Sequence, residues 1–470
     1  MIPTMFRPVT LVLIAGLIGL LPTPVSAKAK RPAGSAVNAV VAVIDSGINP
    51  YHVTFRDDSP LARKHPSTYI PGFPRDAEAL KLTLDAPDMQ NAMKSDCEKV
   101  WKKIEPGKLY WVPGTKIIGA ITFAEKSGNP CALSGTGSII DGNGHGTMTG
   151  SRATSFEYGA CKECRVVSVQ FSASALNTED ALSSITWAAE NADWIDAQSN
   201  SWGPFVPGWE PTGSTLFTAG PQLVRAVEET AQKHLAFWAS GNGAAFRGGV
   251  LGHPTTITPH MTPSAIMVGG VDSGFVNLWP GFPAHVVSDS CNCWAARHTT
   301  IDESGEKVGS GTSSATPYAA GGAVYELLKA REILGDTGTG VHDGVVAQGL
   351  KGLVKSGPLA DGKFTLEEWK RLVLVSATER PEAQDDDGPP CDVVDGLGIY
   401  SASPMPWSQV PEQYPEYLHI GYGAVDRPAM ELAVDVLLGK TEAPDRSDTD
   451  AFFEYDRQVR EASYEVFSKP

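Results

Sequence analysis

The chain has 470 residues and a formal net charge of −16, with 42% hydrophobic and 20% charged residues. This balance is typical of globular proteins and excludes a disordered chain. The acidic charge argues against a nucleic-acid-binding protein, which normally presents a basic face.

The N-terminus has the pattern of a secretory signal peptide over residues 1–27. Arg7 precedes an apolar run from Leu11 to Leu21, and Val25 and Ala27 supply the small residues of a cleavage site. The run is shorter than the roughly 20 residues that span a bilayer. No later segment reaches that length without a charge or a proline. We therefore expect an exported protein, secreted or associated with the cell envelope, that has no membrane span after signal removal.

Strand and helix patterns alternate along the rest of the chain. Apolar, β-branched runs predict buried strands, and the runs of helical period between them predict helices. The predicted strands are 39–44, 117–123, 165–171, 235–240 and 265–271, and the predicted helices are 89–104, 178–191, 221–233, 313–334 and 365–377. This alternation predicts an α/β fold with a mostly parallel sheet.

Three motifs contain side chains that suit a single catalytic site. Asp45 follows the first predicted strand, His145 lies in Gly-His-Gly-Thr, and Ser313 lies in Gly-Thr-Ser-Ser-Ala-Thr-Pro. A serine hydroxyl needs a base to become a good nucleophile, and a histidine base needs an anion to fix its tautomer. Taken singly, Asp45 fits a turn and Ser313 fits a helix N-cap. Their joint occurrence in the order Asp, His, Ser favours catalysis.

These motifs resemble those of subtilisin-like serine proteases, whose chain order is the same. The likeness runs from about Ala39 to about Leu438. It implies a three-layer α/β fold, with a mostly parallel sheet, helices on both faces and loop insertions. It also implies that Asp45, His145 and Ser313 form a catalytic triad. The related sedolisins have glutamate where His145 stands, which argues against that family.

The resemblance also implies an oxyanion hole and a substrate cleft. Asn242 matches the family's oxyanion asparagine and would act beside the Ser313 backbone N–H. The substrate-binding residues would be Ser201, Trp202, Gly203, Ala239, Ser240 and Gly241. None of them is a carboxylate, so we expect apolar or aromatic side chains before the cleaved bond. Trp202 either narrows the pocket or lies in an exposed loop.

The domain organisation follows from the same likeness. Residues 28–440 are predicted to form one peptidase domain with insertions at about 55–113 and 335–415. Residues 441–470 are predicted to form an acidic tail that is exposed or loosely docked. Residues 28–44 are too few for the inhibitory pro-domain of many secreted relatives. We therefore expect a folding helper or another folding route.

The seven cysteines of an exported chain first suggest disulfides. An odd number leaves at least one cysteine outside any intrachain pair, and Cys97 with Cys131 is one candidate pair. Zinc bound by Cys161, Cys164, Cys291 and Cys293 is an alternative, although no histidine stands at finger spacing.

The densest carboxylate cluster combines the run Asp385–Asp387 with Asp392 and Asp395. It is consistent with a solvated acidic loop or with a structural calcium site, since calcium prefers oxygen ligands. No cofactor is expected to be required for catalysis.

The sequence predicts a secreted serine endopeptidase that acts on peptide or protein substrates. One alternative is an exported pseudoprotease that binds partners on the same scaffold. Another is a maturation protease of narrow specificity.

Overall fold

A large, mostly parallel sheet lies between two layers of helices. The computed structural model describes residues 38–126, 128–129, 131–132, 138–171, 178–203, 220–241, 262–271, 277–279, 284–289, 293–302, 306–309, 311–338, 340–341, 344–346, 354–379 and 420–469.

The strands in these residues are β1 (Val40–Asp45), β2 (Glu78–Ala79), β3 (Tyr110–Trp111), β4 (Ile117–Thr122), β5 (Arg165–Gln170), β6 (Ala197–Asn200), β7 (Leu235–Ala239), β8 (Ile266–Val271), β9 (Asn277–Trp279), β10 (Val286–Asp289), β11 (Cys293–Ala295), β12 (Glu306–Gly309), β13 (Val345–Val346) and β14 (Lys363–Phe364). The main sheet has the order β10-β8-β7-β6-β1-β5-β4-β3-β2, and β9 pairs with β8. Each successive pair of strands from β10 to β4 in this order is parallel. Two antiparallel pairs, β11-β12 and β13-β14, lie outside the main sheet.

The α-helices in the described residues are α1 (Met89–Asp96), α2 (His145–Thr154), α3 (Thr178–Glu190), α4 (Pro221–Ala231), α5 (Thr312–Leu334), α6 (Leu366–Ser376), α7 (Arg427–Leu437) and α8 (Ser447–Phe467). Local sequence explains several of their starts. Pro221 occupies the first turn of α4, where a missing N–H costs nothing. Thr365 and Glu368 form a capping box at the start of α6, and Asp426 caps α7. No described helix is long and apolar enough to cross a membrane.

Side chains at alternate strand positions pack into two hydrophobic cores. Val41 and Val43 of β1 pack in the core that includes α5 and α6, whereas Val40, Ala42 and Ile44 pack in the core that includes α3 and α4. A parallel sheet covered on both faces needs apolar residues at both strand positions. The predicted three-layer α/β fold is therefore confirmed.

The predicted insertion at about 55–113 extends the edge of the sheet. Strand β3 runs antiparallel to β4, and β2 is parallel to β3. Trp101 and Tyr51 are fully buried and meet edge to face, with ring centroids 6.0 Å apart. A disulfide joins Cys97 to Cys131, as predicted, and fastens this segment to the chain ahead of His145. The insertion is thus part of the core on this side.

The predicted acidic tail forms the long helix α8 and packs against the body of the protein. Phe453 is buried and stacks on His285 and Tyr422, with centroids 4.8 and 5.1 Å apart. The Tyr422 hydroxyl donates to Asp450 at 2.6 Å, and Arg371 pairs with the same carboxylate. These contacts differ from the expectation of a loosely held segment, because the tail's aromatic residues find partners far away in the sequence.

A buried ion pair joins α5 to the start of the sheet. Arg331 donates to both carboxylate oxygens of Asp196, at 2.7 and 2.6 Å, and also to the Asn38 carbonyl at 2.9 Å. Asp196 in turn accepts from the Val40 N–H at 2.8 Å. Arg331 and Asp196 are each 1% exposed. Removing one partner of such a pair leaves a buried charge without compensation.

We expect Asp196→Ala to lower the free energy of unfolding by about 3–5 kcal/mol in denaturant titrations. Glu431→Ala is the control, because its partner Arg427 and Glu431 itself are 64% and 65% exposed. That change should cost only about 0.5 kcal/mol. Equal, small losses in both variants would contradict a structural role for the buried pair.

Candidate active site

Asp45 and His145 meet at the carboxyl edge of the sheet. Asp45 ends β1 and is 2% exposed, whereas His145 begins α2. His145 Nδ1 lies 2.8 Å from Asp45 Oδ1 and 2.9 Å from Oδ2. The carboxylate also accepts from the Ser46 N–H at 2.7 Å and from Thr149 Oγ1 at 3.2 Å. These contacts fix the imidazole with Nδ1 toward the carboxylate and Nε2 on the opposite side of the ring.

Two glycines make this approach possible. A Cβ at Gly47, whose φ is +107°, would lie 2.4 Å from the Ile139 carbonyl oxygen. A Cβ at Gly146 would lie 2.0 Å from the Gly47 carbonyl oxygen. Real Cβ atoms do not come so close to backbone oxygens, so only glycine lets the two loops touch. The glycines beside Asp45 and His145 are therefore required by packing.

Asp141 organises the loop ahead of His145. This fully buried carboxylate accepts from the Ser46 hydroxyl at 2.8 Å and from the Gly144 and Thr147 N–H groups, each at 2.7 Å. The first N–H groups of a helix have no intrahelical acceptor, and Asp141 supplies one for α2. Asp141 thus ties the Asp45 loop to the start of the helix that carries His145.

The surroundings of His145 set its protonation. Burial alone would lower its pKa, but the carboxylates of Asp45 and Asp141 favour the imidazolium and raise the pKa above 6.5. The side chain is still 34% exposed, so its outer edge remains open to solvent. His145 is therefore a base with increased proton affinity.

Ser313 lies in the first turn of α5. Gly311 is the N-cap, with φ of +74°, so Ser313 is inside the helix and is not its cap. The backbone N–H of the second helical position, Ser313, has no intrahelical acceptor and can receive an anion. The Ser313 hydroxyl donates to the Ser201 carbonyl at 3.2 Å, and the Ser201 hydroxyl donates back to the Ser313 carbonyl at 2.9 Å. This exchange places the serine against the segment that follows β6.

Trp202 is held between aromatic rings. Its indole N–H donates to the Ile44 carbonyl at 2.9 Å, next to Asp45. Its ring centroid lies 4.7 Å from that of Phe171 and 5.0 Å from that of Trp238. Of the two predictions for this residue, the exposed loop is wrong. Trp202 is a fixed element at the ends of β1, β5 and β7.

The model of the subtilase family matches residues 37–333. The chain belongs to the subtilase family. Asp45, His145 and Ser313 of this subtilase all lie within the matched residues.

Curated relatives include two cuticle-degrading serine proteases. The one from Arthrobotrys oligospora is 27% identical over 223 residues, which cover 46% of this chain and 48% of the relative. The one from Orbilia oligospora is 27% identical over 195 residues, which cover 40% of each chain. The subtilase described here thus spans less than half the length of these relatives.

Similar solved structures include a cold-adapted subtilisin-like serine proteinase. It is 19% identical, with a TM-score of 0.38, and the match covers 75% of this chain and 85% of that one. The prenylagaramide maturation protease PagA is 16% identical, with a TM-score of 0.42, and the match covers 86% and 94% of the two chains.

Of the predicted site residues, the structure joins His145 to Asp45 and Ser313 to Ser201, and it anchors Trp202 next to Asp45. Ala239 ends β7, next to β6, and Ser240 and Gly241 continue from it. The predicted oxyanion residue Asn242 and the acidic cluster 385–395 lie outside the described residues, so the oxyanion and calcium expectations stay predictions.

Besides Cys97 and Cys131, which form a disulfide, the cysteines fall into three groups. Cys161 and Cys164 form a disulfide, which removes these two thiols from the zinc alternative. The Cys293 thiol donates to Asp289 at 3.1 Å, and burial raises its pKa to about 12. Cys291 and Cys391 lie outside the described residues.

Sequence reasoning missed Asp141, Thr149 and Gln170. Asp141 directly precedes the Gly-Asn-Gly that leads to His145, which is only a weak indication of a role in the site. Thr149 lies one helical turn after His145, a spacing that places both side chains on one face. Gln170 had no local signal, because its hydrogen-bond partners lie far away in the sequence.

We expect the His145 imidazole to titrate above 6.5 in NMR spectra of a Ser313→Ala variant. Asp45→Asn should lower this pKa, because it removes a carboxylate that favours the imidazolium. Asp435→Asn, which removes an exposed carboxylate paired with Lys440, serves as the control and should leave the titration unchanged. An unaltered His145 titration in Asp45→Asn would contradict the coupling described here.

Proposed function

We propose that this subtilase is a secreted serine endopeptidase with Asp45, His145 and Ser313 as its catalytic triad. The observation that carries the proposal is the short contact between His145 Nδ1 and Asp45, at 2.8 Å, at the sheet edge where Ser313 packs against Ser201. Secretion is supported by the signal-peptide pattern of residues 1–27. The triad's roles follow from the chemistry of each side chain.

The Ser313 hydroxyl first turns from the Ser201 carbonyl toward His145 Nε2. Its oxygen attacks the peptide carbonyl carbon, and its proton passes to Nε2. The C–N bond then breaks, His145 gives this proton to the leaving nitrogen, and the acyl group remains on Ser313. Water attacks the acyl carbon, loses a proton to His145, and releases the acid as the serine regains its proton. Asp45 stabilises the imidazolium in both halves.

The oxyanion would be bound by the Ser313 backbone N–H and the Asn242 side-chain amide. The position of Ser313 in the first turn of α5 supports the backbone part, because an N–H at this position has no intrahelical acceptor. In subtilisin, which belongs to this family, removing the asparagine lowers kcat by about 10²–10³-fold. We propose the same role for Asn242 on its sequence position.

A fluorophosphonate probe tests the nucleophile. We expect the mature chain to be labelled and Ser313→Ala not to be, because the probe requires an activated serine hydroxyl. Casein or peptide hydrolysis should fall by about 10⁶-fold in Ser313→Ala, as for the serine of subtilisin in the same family. Ser314→Ala is a matched control, since this neighbouring hydroxyl is fully buried, and it should keep labelling.

The outcomes separate the proposed protease from its alternatives. Absence of Ser313-dependent labelling would contradict the enzyme and favour a binding module on the same scaffold. Labelling without casein cleavage would favour a maturation protease of narrow specificity.

The substrate backbone is proposed to lie along Ser201–Gly203, as an added strand. The side chain before the cleaved bond would then lie between this segment and Ala239–Gly241. Neither segment has a carboxylate, and Ala239 and Ser240 are buried. A Lys or Arg side chain of the substrate in such a pocket would lose its hydration without gaining an oppositely charged partner.

We expect kcat/KM to be higher for peptides with Phe or Leu before the cleaved bond than for peptides with Arg or Lys. The ratio should be roughly tenfold or more, corresponding to about 1.4 kcal/mol. A panel that differs only at this position measures it. Preferred cleavage after arginine would show that a carboxylate elsewhere in the chain reaches the pocket.

A further inference from the structure

Gln170 ends β5 between two other strand ends. In the parallel register it lies beside Asp45 of β1 on one side and beside Thr122 of β4 on the other. It is 2% exposed. A buried amide costs free energy unless its polar atoms are hydrogen-bonded.

Every hydrogen-bonding position of the Gln170 amide is occupied. Its Oε1 accepts from the Ile139 N–H at 3.1 Å and from Thr122 Oγ1 at 2.8 Å. Its Nε2 donates to the Ser46 carbonyl at 2.9 Å and to the Ile140 carbonyl at 2.8 Å. An amide offers two acceptor sites and two donors, so the side chain has no remaining capacity.

These four bonds join both loops of the site. Ser46 follows Asp45, whereas Ile139 and Ile140 belong to the loop that leads into α2 and His145. Ile139 has a φ of +70°, a left-handed conformation that β-branched residues rarely adopt. Such backbone strain persists only where the surroundings enforce it, and the amide of Gln170 is bonded to the Ile139 N–H and to the carbonyl of the next residue, Ile140.

We propose that Gln170 is a positioning residue, which holds the Asp45 loop and the His145 loop at the separation that the contact between Asp45 and His145 requires. This inference rests on the proposed function of that pair. Gln170 touches neither ring nor carboxylate through any of its four bonds and acts through the backbone. It therefore affects turnover while the proposed substrate segments, Ser201–Gly203 and Ala239–Gly241, remain unchanged.

Gln170→Met tests the proposal, since methionine is neutral, similar in length and able to fill irregular space. We expect kcat to fall by about 10- to 100-fold, because displacements near 1 Å at reacting groups have effects of this size. KM should change little. Thr122→Val is the matched control: it removes another bond to the same amide but none to either loop, and its kcat should stay near that of the parent.

A double-mutant cycle with Asp45→Asn distinguishes positioning from general destabilisation. If Gln170 acts through the Asp45–His145 contact, Gln170→Met should lower kcat much less in the Asp45→Asn background than in the parent. Equal effects in both backgrounds, or an unchanged kcat in a folded Gln170→Met protein, would overturn the proposal. If Gln170→Met does not fold, Gln170→Glu takes its place, because it keeps Oε1 as an acceptor and loses both donors.

An activity-independent measurement separates this inference from the proposed function. In Ser313→Ala, the NMR signal of the His145 Nδ1 proton reports its hydrogen bond to Asp45. We expect Gln170→Met to shift or broaden this signal, with Thr122→Val as the unchanged control. An identical signal in both variants refutes the positioning role, whereas missing Ser313-dependent labelling of the parent refutes the proposed enzyme alone.

Discussion

The parallel pairing of β1 with β5 and β6 determines where the polar side chains of the site lie. In this register Asp45 stands beside Gln170, and Ile44 stands beside Asn200. The strands therefore end together, and the chain turns away at one edge with its functional groups side by side. The loop with Ser201 and Trp202, the helix with His145 and the first turn of α5 all meet that edge. A shift of one residue in β1 would turn its side chains to the opposite faces and separate Asp45 from His145.

Two buried polar side chains at this edge have several hydrogen-bond partners each. Asp141 accepts from backbone and hydroxyl donors, and Gln170 uses both acceptor sites and both donors. Such networks add little net free energy compared with apolar packing, but a partly satisfied network is costly. The bonds of Asp141 and Gln170 join the Asp45 loop to the loop ahead of His145.

Sequence reasoning anticipated the residues whose signals are local. The apolar run before Asp45 predicted a strand, and the helical pattern from residue 313 predicted a helix; the structure contains both. Gln170 escaped prediction because its partners Ser46 and Ile139 are 124 and 31 residues away in the sequence. The docking of α8 escaped for the same reason, since Phe453 meets His285 and Tyr422 only after the chain has folded. Long-range partners leave no periodic trace in the sequence.

The pair formed by Trp202 and Trp238 has an optical consequence. Two indole rings with centroids 5.0 Å apart and planes inclined by 68° are close enough for their electronic transitions to couple. Trp202 belongs to the segment along which an extended peptide is proposed to lie, and its N–H is anchored to the strand of Asp45. Occupation of the cleft should therefore alter near-ultraviolet circular dichroism and indole emission. Trp202 and Trp238 would thus serve as intrinsic chromophores for peptide binding in the proposed cleft.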